Sequence, residues 1–311
     1  MKFGGTVLAV FIACNSWSLQ AQTLPGVPGV AIEPSRRMQG EGAEWDHEVR
    51  IALPASYATA DKHYPVLWVL DGSMYFETAV RIVNVYASKD VPEMIVVAVG
   101  VPAEAYKEYQ KRRSHDFTPN DVTGFTGLGS ELLERELKAV DEPPRADRMS
   151  PAQMGGGAEG FLKFLVDQIR PALARDYRMT DDHTLFGDSG GGTFCTYALL
   201  ARPEAFQRYI CGSPALNTGD YELFRMEERY ARTHKDLRAR VFFGSGEAEV
   251  LEGGVVSAFG IVSSMTRMAE ILRLRAYPSL ELHVRIFPNE NHASVIPLNL
   301  SSGLRTVWHR E

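Results

Sequence analysis

The sequence predicts an α/β protein in which a mainly parallel sheet is covered by helices on both faces. Three observations carry that expectation. Short, wholly apolar runs at 66–70 (VLWVL) and 94–100 (MIVVAVG) read as strands buried on both sides. Segments of helical period separate most of the strand-like runs, which is the order that builds a parallel sheet. The apolar pair Leu185-Phe186 runs directly into Gly187-Asp188-Ser189-Gly190-Gly191, and the helix-like 193–200 (TFCTYALL) follows. A strand, a sharp turn and a helix in that order lift the hydroxyl of Ser189 above the sheet on a strained backbone. Glycines are expected at 187 and 191 because a side chain at either would collide at so tight a bend.

Taken in order, a Pro/Gly-rich leader at 24–29 precedes 48–54 (EVRIALP), whose polar–apolar alternation fits a half-buried strand. The two apolar strands follow, the first ending on Asp71-Gly72. Residues 161–177 place Phe161, Phe164, Leu165, Ile169, Ala172 and Leu173 at helical spacing. After the elbow come strands at 209–212, 240–244 and 282–287. No internal repeat or low-complexity tract interrupts this order, so one catalytic domain is expected over 22–311. The connection 120–157 is Gly-rich, acidic and Pro-rich around a short helical patch, and is longer than a plain loop. It is expected to form a lid or pocket wall.

With 311 residues, 45% hydrophobic and 23% charged, the composition is that of an ordinary globular protein, and a net charge of -6 leaves no basic footprint for nucleic acid. No apolar run reaches the roughly 18–20 residues of a membrane span. Residues 1–21 read as a signal peptide, with Lys2 as the positive end, 6–14 as the apolar stretch and a cut after Ala21. Phe11-Ile12-Ala13-Cys14 fits a lipoprotein box poorly, so simple export, periplasmic or secreted, is expected. Cys195 and Cys211 remain in a compartment that permits disulfides; a bridge between them is left open, and two small buried apolar residues is the preferred reading.

A serine hydroxyl needs a base to take its proton, and the base needs a third group to orient it. In a strand–elbow–helix protein the acid and the histidine follow the serine, each in a loop after a later strand. The 240–244 strand is followed by Ser245-Gly246-Glu247-Ala248-Glu249, and either Glu247 or Glu249 can serve. The 282–287 strand is followed by Pro288-Asn289-Glu290-Asn291-His292. Of eight histidines only His292 is so placed. The N–H of Gly190, directly after the nucleophile, and that of Ser73, in the loop after the first apolar strand, are expected to hold the oxyanion. Asp71 is expected to fix that loop by hydrogen bonds.

With those residues assigned, the chain resembles the putative-esterase family of α/β-hydrolases, in particular its bacterial siderophore (enterobactin-type) esterase-like branch. Residues 64–72 (YPVLWVLDG) are similar to the family's strand and oxyanion loop. Arg113-Ser114-His115-Asp116-Phe117-Thr118-Pro119 resembles its RxxDxTP turn, and Arg113 is assigned to substrate binding. Residues 155–165 resemble the entry to the helix before the elbow, and Ser213-Pro214-Ala215-Leu216 the turn after the next strand. Residues 241–249 resemble the family's acid strand, which favours Glu249 over Glu247. The branch often has aromatic residues where this chain has Asn217-Thr218-Gly219. The resemblance implies no metal and no organic cofactor. The reading is an exported serine esterase acting on a small-molecule ester, with siderophore-like lactones as a candidate. The alternatives are a non-catalytic ligand-binding protein on the same scaffold and an acyltransferase.

Overall fold

In the computed structural model the described residues are 27–87, 89–119, 155–252, 256 and 259–309, with the backbone of 22–23. The signal segment 1–21 and nearly all of the 120–157 connection lie outside them. Ten strands among the described residues join into one sheet. They are β1 (Gln22–Thr23), β2 (Ala31–Ile32), β3 (Arg36–Gln39), β4 (Asp46–Leu53), β5 (Tyr64–Val69), β6 (Ile95–Gly100), β7 (Met179–Asp188), β8 (Arg208–Gly212), β9 (Ala239–Gly246) and β10 (Leu280–Phe287). The order is β1-β2-β4-β6-β5-β7-β8-β9-β10, with β3 pairing β4 off that path. From β6 to β10 every pairing is parallel, whereas β4 joins β6 antiparallel.

The apolar runs follow from burial on two faces. In β5, Val66 and Trp68 belong to one core layer while Leu67 and Val69 belong to the other. Period-two alternation sends neighbouring side chains to opposite faces, so a strand covered on both sides has no polar positions to spare. Each fully buried side chain of that size contributes about 1.5–3 kcal/mol.

The helices that place the site are α1 (Gly72–Tyr86), α2 (Tyr109–Phe117), α3 (Ala158–Lys163), α4 (Arg170–Asp176), α5 (Gly190–Ala201), α6 (Thr218–Thr233), α7 (Ile261–Arg275) and α8 (Ile296–Val307). The single helix expected at 161–177 begins earlier, at Ala158, and widens to a π-type turn over Phe164–Ile169 before α4. Pro171 gives the physical reason: it lacks an N–H and its ring crowds the preceding turn, and the wider winding accommodates both.

One expectation is corrected. Cys195 on α5 and Cys211 on β8 are fully buried, but they are bonded to each other, with Cα atoms 5.4 Å apart. The reading as two separate apolar residues missed that α5 returns over β8, the strand beside the elbow strand. The bridge therefore fastens the helix behind Ser189 to the neighbouring strand.

Candidate active site

Ser189 sits between β7 and α5 with φ 57 and ψ -121, the strained conformation expected of an elbow. Its N–H donates to the Gly212 carbonyl at 3.0 Å, and its own carbonyl accepts from Thr193 at 2.9 Å. A Cβ at Gly187 would run into the Gly191 carbonyl, which accounts for that glycine. At Gly191 the nearest atom to an added Cβ is Asp71 Oδ2 at 3.4 Å, an ordinary contact, so the expected collision there is not found. The crowded position is Gly192, where a Cβ would meet the Gly212 carbonyl.

The loops after β9 and β10 converge on the hydroxyl. His292 Nε2 lies 3.0 Å from Ser189 Oγ, and His292 Nδ1 lies 2.5 Å from Glu249 Oε1. Glu249 is buried, and its second oxygen accepts from Gly246 N at 2.8 Å and from Ser213 Oγ at 3.1 Å. The two glutamates left open by the residue pattern thus separate. Glu249 reaches the imidazole, while Glu247 accepts from Asn289 N at 3.0 Å and ties the β9 loop to the β10 loop. The His292 N–H donates to Glu252 Oε2 at 2.8 Å, which fixes the backbone from which the ring projects.

Burial works against a charged His292, but the Glu249 hydrogen bond and the charges of Glu249, Asp188 and Glu252 outweigh it and raise its pKa above the ordinary imidazole value. Asp188, directly before Ser189, is fully buried. Its Oδ1 accepts from Asn299 Nδ2 at 2.8 Å, while Oδ2 has no hydrogen-bond partner among the described residues. Burial pushes its carboxyl up to about 6, against the lowering by Asn299, His292 and Arg113. The same Asn299 amide lies 3.4 Å from Ser213 Oγ, so α8 links Asp188 to the Glu249 arm.

On the other side of Ser189, Asp71 caps α1 from the left-handed region, with φ 52, and its carbonyl accepts from Met74 and Tyr75. Its carboxylate takes Arg113 Nε at 2.8 Å, Nη2 at 2.9 Å and the Tyr109 hydroxyl at 2.7 Å. Asp71 therefore fixes the loop, as expected. Burial opposes the charge on Arg113, but Asp71 more than compensates and raises its pKa. Arg113 Nη2 also donates to the Asp188 carbonyl at 3.1 Å, and Nη1 stands 2.7 Å from where a Cβ on Gly190 would be. Gly190 and Ser73 occupy the first turns of α5 and α1, where backbone N–H groups have no intrahelical acceptor.

Sequence reasoning missed Asp188 and Asn299. Asp188 carried a signal, being an ionisable residue inside the elbow motif. Asn299 carried none, since it approaches the site only through the packing of α8.

The family model described as "Putative esterase" matches residues 40–126 and 130–269. The chain belongs to this family. It is 26% identical over 288 residues to the ferri-bacillibactin esterase BesA of Bacillus subtilis, covering 91% of each chain. It is 25% identical to a siderophore enterobactin esterase of Emericella nidulans, over 90% of this chain and 95% of that one. The crystal structure of the BES protein from Bacillus cereus superposes with a TM-score of 0.70 at 26% identity, covering 93% of this chain and 99% of that one. The chain accordingly has the α/β-hydrolase fold expected from its sequence.

Proposed function

We propose that this esterase is an exported serine hydrolase that works through an acyl-enzyme. The observation that carries the reading is the hydrogen-bonded path from Ser189 Oγ through His292 to the buried Glu249. Ser189 Oγ bonds to the ester carbonyl carbon while its proton passes to His292 Nε2. The oxyanion is held by the N–H groups of Gly190 and Ser73. His292 then gives the proton to the departing alkoxide as the C–O bond breaks. A water, deprotonated by the same nitrogen, releases the acid and restores Ser189. Glu249 accepts the hydrogen bond from Nδ1–H throughout without taking the proton, holding the tautomer and stabilising the imidazolium. Arg113 braces the oxyanion loop and leaves Nη1 above Gly190 for a substrate oxygen.

The names of the relatives support siderophore-type esters as the substrate class. The surroundings of Ser189 support an apolar or aromatic part in that substrate. Met74, Tyr106, Tyr221, Val250 and Leu251 are exposed and follow β5, β6, β8 and β9, at the same end of the sheet as the nucleophile. Tyr221 stands just past Asn217-Thr218-Gly219, where the branch's aromatics are missing. Export is supported by the 1–21 segment and by the buried disulfide, which persists in an oxidising compartment.

The test is hydrolysis by the mature chain of a p-nitrophenyl ester series of increasing acyl length, alongside cyclic triester siderophores, with Ser189→Ala as control. Turnover that vanishes in the variant supports the reading. Turnover that survives in it, or none on any ester, overturns it.

A further inference from the structure

The two edges of the sheet are built differently. One ends in the two-residue strands β1 and β2. The other is β10, eight residues long, paired to β9 without a register break from Leu280 to Phe287 and bare on its outer side among the described residues. Long regular edges are usually blunted by lysine, proline or a bulge, because their free N–H and C=O groups recruit another strand. β10 has no lysine, proline or bulge, and its charges, Glu281 and Arg285, are of opposite sign. Val284 and Ile286 are 44% and 42% exposed, and Leu274 on the adjoining α7 is 66% exposed. On its other face His283 and Arg285 line a cavity of about 350 Å³ together with Ser302, Arg305, Thr306 and His309 of α8 and its end. Among the described residues no carboxylate lines that cavity. Among the described residues Arg285 and Arg305 have only aromatic contacts, with Phe287 and Tyr86.

We infer that β10 pairs antiparallel with β10 of a second copy of this chain, about a two-fold axis at His283. The register is chosen by chemistry. Residues opposite each other in an antiparallel pair lie on the same face. With His283 facing itself, Glu281 stands opposite the second copy's Arg285, Leu282 opposite its Val284, and Leu280 opposite its Ile286. Both charges and all four apolar positions find complements, twice over by symmetry. Moving the axis to Val284 instead sets His283 against Arg285 and leaves Glu281 facing Phe287. In the chosen register the carboxylate missing from the cationic cavity is supplied by the second copy's Glu281. That residue is half exposed and is held 2.9 Å from Arg240 of its own chain, so each Glu281 bridges two guanidiniums. The pairing joins two sheets into one and covers the exposed apolar strip.

The experiment is sedimentation velocity with light scattering on the mature chain over a wide concentration series. The expected species is a dimer. Arg285→Glu weakens it by about tenfold or more in dissociation constant, because two cross-strand pairs become repulsive. Glu281→Arg does the same and also loses the Arg240 pair; the double exchange Glu281→Arg/Arg285→Glu loses that pair equally, so its recovery of the dimer over the single Glu281→Arg variant is the diagnostic. Under mild oxidation His283→Cys cross-links to a covalent dimer, since self-opposed residues bring Cα atoms within disulfide reach. Arg285→Cys alone does not. Circular dichroism checks that each variant is folded. A monomer at every concentration overturns the inference. So does a dimer indifferent to the charge exchange, or one that cross-links through Cys at 285 but not at 283.

Discussion

Two buried carboxylates flank Ser189, and they are treated in opposite ways. Asp71 meets a guanidinium along its full width and a tyrosine hydroxyl. Among the described residues Asp188 has one amide, an unpartnered oxygen and no direct cationic partner. A fully paired carboxylate in the interior is a brace, whose removal leaves a buried charge alone. A half-satisfied one is held at a cost, and its charge is felt by whatever titrates nearby, here His292. The first side of the site is therefore expected to govern stability, and the second the protonation of the base.

The contrast can be broken at its strongest point first. Glu249→Gln is expected to lower kcat by about 10³–10⁴-fold, through the wrong imidazole tautomer, with KM little changed. Steady-state kinetics on one ester would check it. Arg113→Met should cost about 3–5 kcal/mol in chemical unfolding, because it strands the Asp71 charge. Asp71→Asn/Arg113→Met should recover much of that loss. Replacing both Cys195 and Cys211 with alanine is expected to cost about 3 kcal/mol, as for a loop closed over a sequence separation of 16.

Asp188→Asn sharpens the comparison because its effect on stability should have the opposite sign. The folded-state carboxyl is raised to about 6, so between the unfolded value of 3.8 and that point the folded chain binds more protons than the unfolded one. The ionised group therefore destabilises the fold progressively as pH rises through this window, and the penalty is complete above it. The variant should melt higher than wild type near neutral pH and lose that advantage below about pH 4. Its activity should show the other half of the effect. On the proposed mechanism turnover requires a neutral His292, whose raised pKa puts the acidic limb of the wild-type profile above the ordinary histidine position. Removing one of the charges that raise it should move that limb to lower pH. The smallest effect is expected from Glu247→Gln, which should loosen the β10 loop and change kcat only a few-fold.

Much of this was legible in the residues because local chemistry carried it. Leu185-Phe186-Gly187-Asp188-Ser189 reads as strand and elbow from its own spacing, and His292 from its place after the last strand. The β5 run is legible because both of its faces are buried. What stayed hidden depends on distance through the fold. The residue pattern alone left Glu247 and Glu249 open, because it does not tell which way a short turn points two carboxylates, and only the family resemblance of 241–249 favoured Glu249. The Cys195–Cys211 bond requires knowing that α5 crosses β8. Asn299 reaches Asp188 across 111 positions of sequence. Gly192, rather than Gly191, is crowded because of the β8 carbonyl beside it.

The most direct measurement is the mass of the protein after reaction with a p-nitrophenyl phosphonate, which stops at the stage of the covalent intermediate. The account predicts a single adduct on the peptide containing Ser189, slower labelling in Glu249→Gln, and neither adduct nor ester turnover in Ser189→Ala. An adduct on another residue, or Ser189→Ala that still hydrolyses esters at the wild-type rate, would contradict it.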